Sequence, residues 1–322
     1  MAANGLKKVV RLGGGSGGFT LLRGLKKFPL DITAVFTSFD SGGSAGILRD
    51  ELGILPPGDV RRGLLALMDE QRAPILRELL NYRFNGSKDS PLHGHSFGNL
   101  LLVALASIYG GEMEGIRKAS ELLNIKGKIF PVSLDQSHVH AMLEDGTEIV
   151  GETNVDVPKH DGALRIKNVF LEPPAHIYEE TDKAIRDADI VVLGPGDLYS
   201  SIVPTLLVGG MREALAASKA KKVVVCNLMT KWGETNGFAA SDMVAELSRY
   251  SGIEKFDAVI CNDKEIDSKL AQKYAEEKQY PMRCDEAKLK QYAKDVIAQD
   301  FFLAADIARH DPEKLARVIS AL

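Results

Sequence analysis

A glycine-rich run at residues 13–18 carries the clearest chemical signal in the sequence. It reads Gly-Gly-Gly-Ser-Gly-Gly, it follows the apolar residues 9–12, and residues 20–27 after it have helical periodicity with a cationic end. A loop between a strand and a helix offers free amides and a helix dipole to an anion, and the missing side chains allow close approach. The run therefore predicts a diphosphate site. A glycine turn that serves only tight packing is the alternative.

The same run satisfies the pattern G-x-G-x-x-G, and Asp40 follows its last glycine by about 20 residues, as in a nicotinamide-dinucleotide fingerprint. A nicotinamide-dependent dehydrogenase is therefore one hypothesis. It rests on this motif alone, without a recognisable set of hydride-transfer residues. A Walker A loop is excluded because no Gly-Lys-Ser/Thr follows the glycines.

Two aspartates near the ends of predicted elements are candidates for chemistry. Asp40 precedes the glycine-rich residues Ser41, Gly42, Gly43 and Ser44 at the end of a strand predicted at 32–38. It could hold a ribose hydroxyl, a metal ion or an acceptor hydroxyl, or simply form the turn. Asp59 follows Pro-Pro-Gly and is predicted to cap a helix that ends near residue 68.

Cations and polar groups follow in the next segments. Arg61 and Arg62 stand in the first helical turn, where a phosphate or an acidic partner would suit them and a solvated helix face is equally favoured. His95 and Asn99 lie at the start of an apolar helix predicted over 97–109. Because His93 and His95 lack the i,i+4 spacing of a helical zinc pair, ligand contact or capping is favoured over metal binding.

A second glycine-containing loop also follows a predicted strand. Residues 194–201 read Gly-Pro-Gly-Asp-Leu-Tyr-Ser-Ser after a strand predicted at 190–193, which makes them the second phosphate-site candidate. Asn227 and Thr230 follow a later strand, so topology places them near the same edge of the sheet. Tyr199 and Trp232 could stack a base, although lone aromatic residues more often pack.

The order of elements predicts a Rossmann-like, doubly wound α/β fold with a mostly parallel sheet. We expect one domain over residues 1–322, with a small antiparallel, β-rich insertion at about 129–172 and a helical C-terminal tail at about 264–322. The insertion includes a hairpin turn at 144–146, and the helix at 97–109 is expected to be buried. A further helix is predicted near 203–218.

Composition limits the class of protein. The 322 residues are 45% hydrophobic and 26% charged with a formal net charge of -4, which makes nucleic acid a poor default partner. Cys226, Cys261 and Cys284 are far apart and in no CxxC spacing, which argues against a disulfide framework and for a reducing, cytoplasmic setting. Without a signal-like or spanning apolar run, no membrane insertion is expected.

Four stretches together resemble a known family. They are Arg-Leu-Gly-Gly-Gly-Ser-Gly-Gly at 11–18, Asp-Ser-Gly-Gly-Ser-Ala-Gly at 40–46, Gly-His-Ser-Phe-Gly-Asn-Leu at 94–100 and the loop at 194–201. The segments at 56–62, 227–230 and 233–235 extend the match over roughly residues 9–263. The sequence resembles the gluconeogenesis factor (YvcK-like) branch of the CofD-like phospholactate transferase superfamily.

The resemblance implies a UDP-sugar ligand and a role in cell shape and envelope growth on gluconeogenic carbon sources. For this branch the implied activity is binding that regulates a protein partner, with no cofactor required. The enzymatic branch instead transfers a phospholactyl group with a divalent metal held by an aspartate corresponding to Asp40. In that alternative Asp40 and Asp59 are catalytic and bind Mg²⁺. The transferases usually have a second acid directly after the first, where this sequence has Ser41.

The expected assembly is a homo-oligomer. The expected ligand-binding residues are Gly13, Gly14, Gly15, Ser16, Gly17, Gly18, Asp40, Ser41, Gly42, Gly43, Ser44, Arg61, Arg62, His95, Asn99, Gly194, Gly196, Asp197, Tyr199, Ser200, Asn227 and Thr230.

Overall fold

The computed structural model describes residues 5–69, 74–87, 89–303 and 306–322. Its strands are β1 Lys7–Leu12, β2 Leu30–Phe36, β3 Lys128–Pro131, β4 His138–Leu143, β5 Glu148–Val150, β6 Ile166–Glu172, β7 Ile190–Leu193, β8 Lys221–Val225, β9 Phe256–Asn262, β10 Ala293–Gln299, β11 Phe302–Leu303 and β12 Arg309–His310. Seven of them form one parallel sheet in the order β10-β9-β8-β7-β1-β2-β3. The predicted Rossmann-like α/β fold is confirmed.

Helices cover both faces of this sheet. They are α1 Gly15–Leu25, α2 Gly43–Leu52, α3 Gly58–Leu67, α4 Pro74–Asn81, α5 Phe97–Tyr109, α6 Glu112–Leu123, α7 Glu152–Asp156, α8 Glu179–Arg186, α9 Val203–Leu206, α10 Met211–Ala217, α11 Ala240–Ser251, α12 Ser268–Glu276, α13 Glu286–Leu289 and α14 Pro312–Ala321, with a π-helix at Leu198–Ile202. Two large apolar clusters, one on each face, share the strands between them. The single helix predicted near 203–218 is wrong, because Gly209 and Gly210 separate α9 from α10.

The order of strands places the two glycine loops side by side. β1 pairs with β2 on one side and with β7 on the other, with Leu12 opposite Leu193. The chain thus reverses its direction of winding between β1 and β7, and ligands of open α/β sheets bind at such a switch point. The groove at the carboxyl ends of β1, β2 and β7 is called the crevice below.

The antiparallel insertion is smaller than predicted. β4, β5 and β6 form a three-stranded antiparallel sheet, and the hairpin turn at 144–146 joins β4 to β5 as expected. The start of the insertion near residue 129 is wrong, because β3 pairs in parallel with β2 and belongs to the main sheet. A short apolar segment cannot reveal which sheet it joins.

The C-terminal segment is not the purely helical tail that was expected. It contributes β10 to the edge of the main sheet and the β11–β12 hairpin, and it ends in α14. Leu315, Ala316 and Ile319 of α14 are buried in the apolar cluster that also contains Leu21 and Leu22 of α1. The segment therefore packs on the core.

Two further expectations need correction. Helix α5 has the predicted bounds, yet only Gly98, Asn99 and Leu102 of its 13 residues are buried. The cysteines are not all free: Cys261 at the end of β9 is disulfide-bonded to Cys284, while Cys226 is a buried thiol. Sequence spacing could not show this pairing, because the fold brings the two residues together with 5.8 Å between their Cα atoms. Among the described residues, no helix is long and apolar enough to cross a membrane.

Candidate functional site

The fully buried Arg11 joins the two glycine loops. It lies on β1, and its guanidinium donates to the carbonyl oxygens of Gly13, of Gly14 at 2.9 Å and of Pro195 at 2.7 Å. Burial lowers the pKa of Arg11 to about 10, which still leaves it charged at neutral pH. A single cation thus holds the loop after β1 against the loop after β7.

Packing explains several glycines of the first loop. A Cβ atom on Gly14 would overlap the Asp59 carboxylate, and one on Gly18 would overlap the Arg11 guanidinium. At Gly17 it would lie 2.9 Å from the Pro195 carbonyl. The packing alternative therefore accounts for these three positions. It does not account for Gly15, where φ is +78° and where an added Cβ atom would lie 3.8 Å from the nearest atom outside the adjoining chain, Ser201 Oγ.

The glycine run itself forms the start of α1. The helix begins at Gly15 with Gly14 as an N-cap that has no side-chain cap, and Ser16 in its first turn is exposed. An N-terminus of this kind suits an anion because amides and the helix dipole point outward. The predicted diphosphate loop is thus formed as a helix N-terminus in the crevice.

Asp59 does not cap its helix as predicted. α3 begins at Gly58 with Pro57 at the N-cap, and Asp59 lies in the first turn with its side chain buried. Its Oδ1 accepts from the Gly15 amide at 3.4 Å and contacts the Arg62 guanidinium at 2.8 Å. Asp59 thus joins α3 to the start of α1.

Asp40, Asp59 and Glu152 form an acidic corner of the crevice. Asp40 accepts from the Gly42 amide at 2.9 Å, and Glu152 of α7 accepts from the Ser41 amide at 3.5 Å. Burial and the neighbouring Asp59 raise the pKa of Asp40. Burial together with Asp40 raises the pKa of Glu152 to about 8. Glu152 therefore keeps its proton at neutral pH, because Arg62 alone does not balance three ionised carboxylates.

The residues after Asp40 begin a helix as well as a turn. Gly42 is the N-cap of α2, and Gly43 and Ser44 form its first turn. The Ser41 hydroxyl bonds to Thr153 Oγ1 at 3.1 Å and accepts from the Thr153 amide at 3.0 Å. The insertion is thereby attached to the crevice through α7.

A second charged group, the Lys231 cluster, consists of Lys231, Asp156, Asp197 and Glu234. Oxygens of the three acids lie within 4.8 Å of one another, a spacing that a metal ion could use. The Lys231 ammonium contacts all three, at 3.0 Å for Asp197 and 3.3 Å for Glu234, so it already supplies the positive charge. Burial raises the pKa of Glu234 to about 7, although the adjacent Lys231 acts in the opposite direction.

Tyr199 and Ser200 lie inside the protein rather than in the crevice. Glu234 accepts from the Tyr199 amide at 2.7 Å and from the Ser200 hydroxyl at 2.9 Å. Tyr199 is 2% exposed, and Trp232 packs on Gly162 of the insertion and on Lys278. Both aromatic side chains therefore pack, and Ser200 contributes to the shape of the loop.

His95, Asn99 and Arg61 form a polar network behind the crevice. Ser44 Oγ lies 3.0 Å from His95 Nδ1 and accepts from Asn99 Nδ2 at 3.1 Å, while Arg61 Nε donates to Asn99 Oδ1 at 3.1 Å. The neighbouring arginines therefore diverge, since Arg62 contacts the acidic corner and Arg61 contacts this network. The side chain that caps α5 is that of Ser96.

An open cleft of about 300 Å³ adjoins the first turn of α1. Both loops contribute to it, as do Asn227 and Thr230. Asn227 exchanges hydrogen bonds with the backbone of Gly196, at 3.2 Å and 2.8 Å. The cleft is lined by Ser16, Gly17, Pro195, Gly196, Asp197, Asn227, Leu228, Met229, Thr230, Lys231, Tyr274, Gln279, Ala308 and His310.

Sequence reasoning missed Glu152, Asp156, Lys231, Glu234 and His310. The first two lie in an insertion that was interpreted as strands only, so no pattern placed them at the crevice. Lys231 and Glu234 lie within four residues of Thr230, which was already a candidate, and this proximity could have indicated them. His310 reaches the cleft from the C-terminal segment, which nothing in the sequence placed there.

Comparisons with known proteins agree with this architecture. Residues 9–302 match the family model described as 2-phospho-L-lactate transferase CofD. The chain is 43% identical over 315 residues to a gluconeogenesis factor of Halalkalibacterium halodurans, covering 97% of this chain and 95% of that protein. It is 40% identical to the gluconeogenesis factor of Bacillus subtilis, with 97% and 96% covered. A crystal structure of a Bacillus halodurans protein superposes with a TM-score of 0.92 at 42% identity, covering 98% and 99%.

Proposed function

Because the chain belongs to the CofD family and to its gluconeogenesis factor branch, we propose that it binds a UDP-sugar in the crevice and regulates a protein partner. Binding would adjust cell shape and envelope growth under gluconeogenic conditions. Ligand binding requires no turnover in this proposal, and the protein acts as a cytoplasmic sensor of a nucleotide sugar.

One observation carries the proposal. The N-terminus of α1, whose Gly15 amide has a long hydrogen bond to Asp59 and whose N-cap Gly14 has no side chain, lies at the switch point of the sheet and opens into the cleft, with the exposed Ser16 in its first turn. A diphosphate on these amides is the arrangement that a helix N-terminus favours. The cleft continues past Gly196 and Asn227, which leaves room for the remainder of the ligand.

The acidic corner favours a second candidate, a transferase that uses a metal-bound nucleotide diphosphate. The acids of this corner lie next to the proposed diphosphate site and would repel it unless protons or a cation neutralised them. Carboxylate oxygens are ligands that Mg²⁺ accepts, and in this candidate Asp40 and Asp59 would hold the ion. Among the described residues, the three acids that already lie at metal-ligating spacing are those of the Lys231 cluster, so the corner would have to close around the ion. Mg²⁺ would offset the negative charge of the donor's diphosphate and of the nucleoside monophosphate that leaves when the phospholactyl group passes to an acceptor hydroxyl.

Calorimetric titration separates the two candidates. UDP-N-acetylglucosamine, UDP-glucose and GDP are titrated with and without Mg²⁺ into the wild type, Ser16→Glu and the control Ser87→Glu. Both serines are exposed, but only residue 16 lies at the start of α1. The sensor predicts UDP-sugar binding without metal that Ser16→Glu weakens at least tenfold and Ser87→Glu leaves unchanged.

Binding that needs Mg²⁺, is lost in Asp40→Asn and leads to a product would establish the transferase instead. If no nucleotide binds under either condition, both candidates are wrong.

A further inference from the structure

Helix α5 is largely apolar but is only partly covered by the rest of the chain. Residues 97–109 contain no charged side chain. Ile108 is nevertheless 71% exposed and Tyr109 48% exposed. Because a largely apolar helix is normally buried, α5 is more exposed in a single chain than its composition predicts.

The neighbouring α4 continues this surface. Ile75 is 71% exposed, and Leu79, four residues later on the same helix face, is also exposed, as is Tyr82 directly after the helix. The two helices are in contact, and the Phe97 amide at the start of α5 donates to the carbonyl of Tyr82, just after α4, at 2.9 Å. We call the exposed side chains of Ile75, Leu79, Tyr82, Ile108 and Tyr109 the α4–α5 patch.

The size of the patch approaches that of a protein interface. At roughly 150–200 Å² for a large apolar side chain, the exposed fractions amount to on the order of 500 Å² for one chain. The partly buried Leu100, Leu101 and Leu105 of α5 add a smaller area, because Leu101 and Leu105 also pack against the core. A standard interface buries about 800 Å² on each partner.

We propose that the α4–α5 patch is the interface between two copies of this chain. A two-fold dimer lets one surface meet itself, so two such areas together approach the size of a stable interface. Interfaces of homodimers are more apolar than those of transient complexes. Surfaces that bind anionic membranes combine apolar groups with many cations, whereas α5 has none and the exposed face of α4 includes Glu78.

Light scattering after size exclusion tests the interface. The wild type, Ile75→Glu, Ile108→Glu and the control Val150→Glu are compared over protein concentrations from about 1 to 100 µM, the range in which biological dimers form. Val150 is likewise exposed, at 50%, but lies on β5 of the insertion. We expect the wild type and Val150→Glu to have twice the chain mass of 35.0 kDa, and the two patch variants to have the mass of one chain.

Circular dichroism of each variant shows whether it remains folded, and the two isoleucines lie on different helices, so either one can decide the question. Ile108→Ser, which adds no charge, is the milder replacement if both glutamate variants lose their helical signal, and it should weaken the dimer at least tenfold. A wild type that remains a monomer at 100 µM, or a dimer that folded patch variants do not weaken, would overturn the proposal. Neither result depends on the ligand in the crevice.

Discussion

Arg11 shows how one residue can determine the geometry of the whole site. Replacing it with leucine leaves the carbonyls of Gly13, Gly14 and Pro195 buried without their donor. Each unsatisfied buried group costs about 1–3 kcal/mol, so we expect Arg11→Leu to lower the free energy of unfolding by at least about 3 kcal/mol. Urea unfolding followed by circular dichroism measures this, with the exposed Arg317→Leu as the control. A loss below about 0.5 kcal/mol would show that the carbonyls find other partners.

His310 makes a second prediction at the scale of one residue. It is buried, it bonds through Nε2 to the Cys226 carbonyl at 3.1 Å, and burial lowers its pKa to about 4. Because the unfolded chain takes up this proton near pH 6.5 and the folded chain only near pH 4, stability is constant above pH 6.5 and falls as the pH drops toward 4. The loss is roughly 3 kcal/mol across that window.

Comparison of the wild type with His310→Gln at pH 4.5 and pH 7 isolates this contribution, because glutamine can still donate to the carbonyl but does not titrate. We expect the variant to lose less stability than the wild type on acidification. The exposed His93→Gln should behave like the wild type. Equal acid sensitivity in wild type and His310→Gln would mean that other groups cause the loss.

At the scale of elements, the sequence predicts the bounds of helices and strands correctly where neighbouring residues determine those bounds. The uniformly apolar residues 190–193 form the predicted strand. Helix α5 has the predicted bounds because Ser96 caps its start and Gly110 follows its end in the left-handed region. The Lys231 cluster could not be predicted, because it joins residues from the insertion and from the loops after β7 and β8. Secondary-structure propensities of single residues do not predict contacts between segments that are distant in the sequence.

The contact between α1 and α14 allows a prediction about two elements. A Cβ atom on Gly24 would overlap the Pro312 carbonyl and lie 2.9 Å from the Ala316 Cβ. Alanine is the better helix former by about 1 kcal/mol, yet we expect Gly24→Ala to lower stability by roughly 2 kcal/mol because the backbone of α14 must move. Gly86→Ala is the matched control, since no atom lies within 4 Å of its added Cβ. Thermal melts of both variants measure the difference; equal melting temperatures would show that α14 moves away at no cost.

At the scale of the whole molecule, the insertion and the main sheet share one core, which predicts that they unfold together. Val139 and Ala141 of the insertion belong to the same apolar cluster as Val10 and Leu12 of β1. Trp232, the single tryptophan, packs on Gly162 of the insertion, so its fluorescence reports on that region, while far-ultraviolet circular dichroism reports on the whole chain. If residues 1–322 are one domain, as the sequence predicts, the two signals should change at the same urea concentration at equal protein concentration. A fluorescence transition at clearly lower urea would mean that the insertion unfolds first, and α7 would then be free to leave the acidic corner while the sheet remains folded.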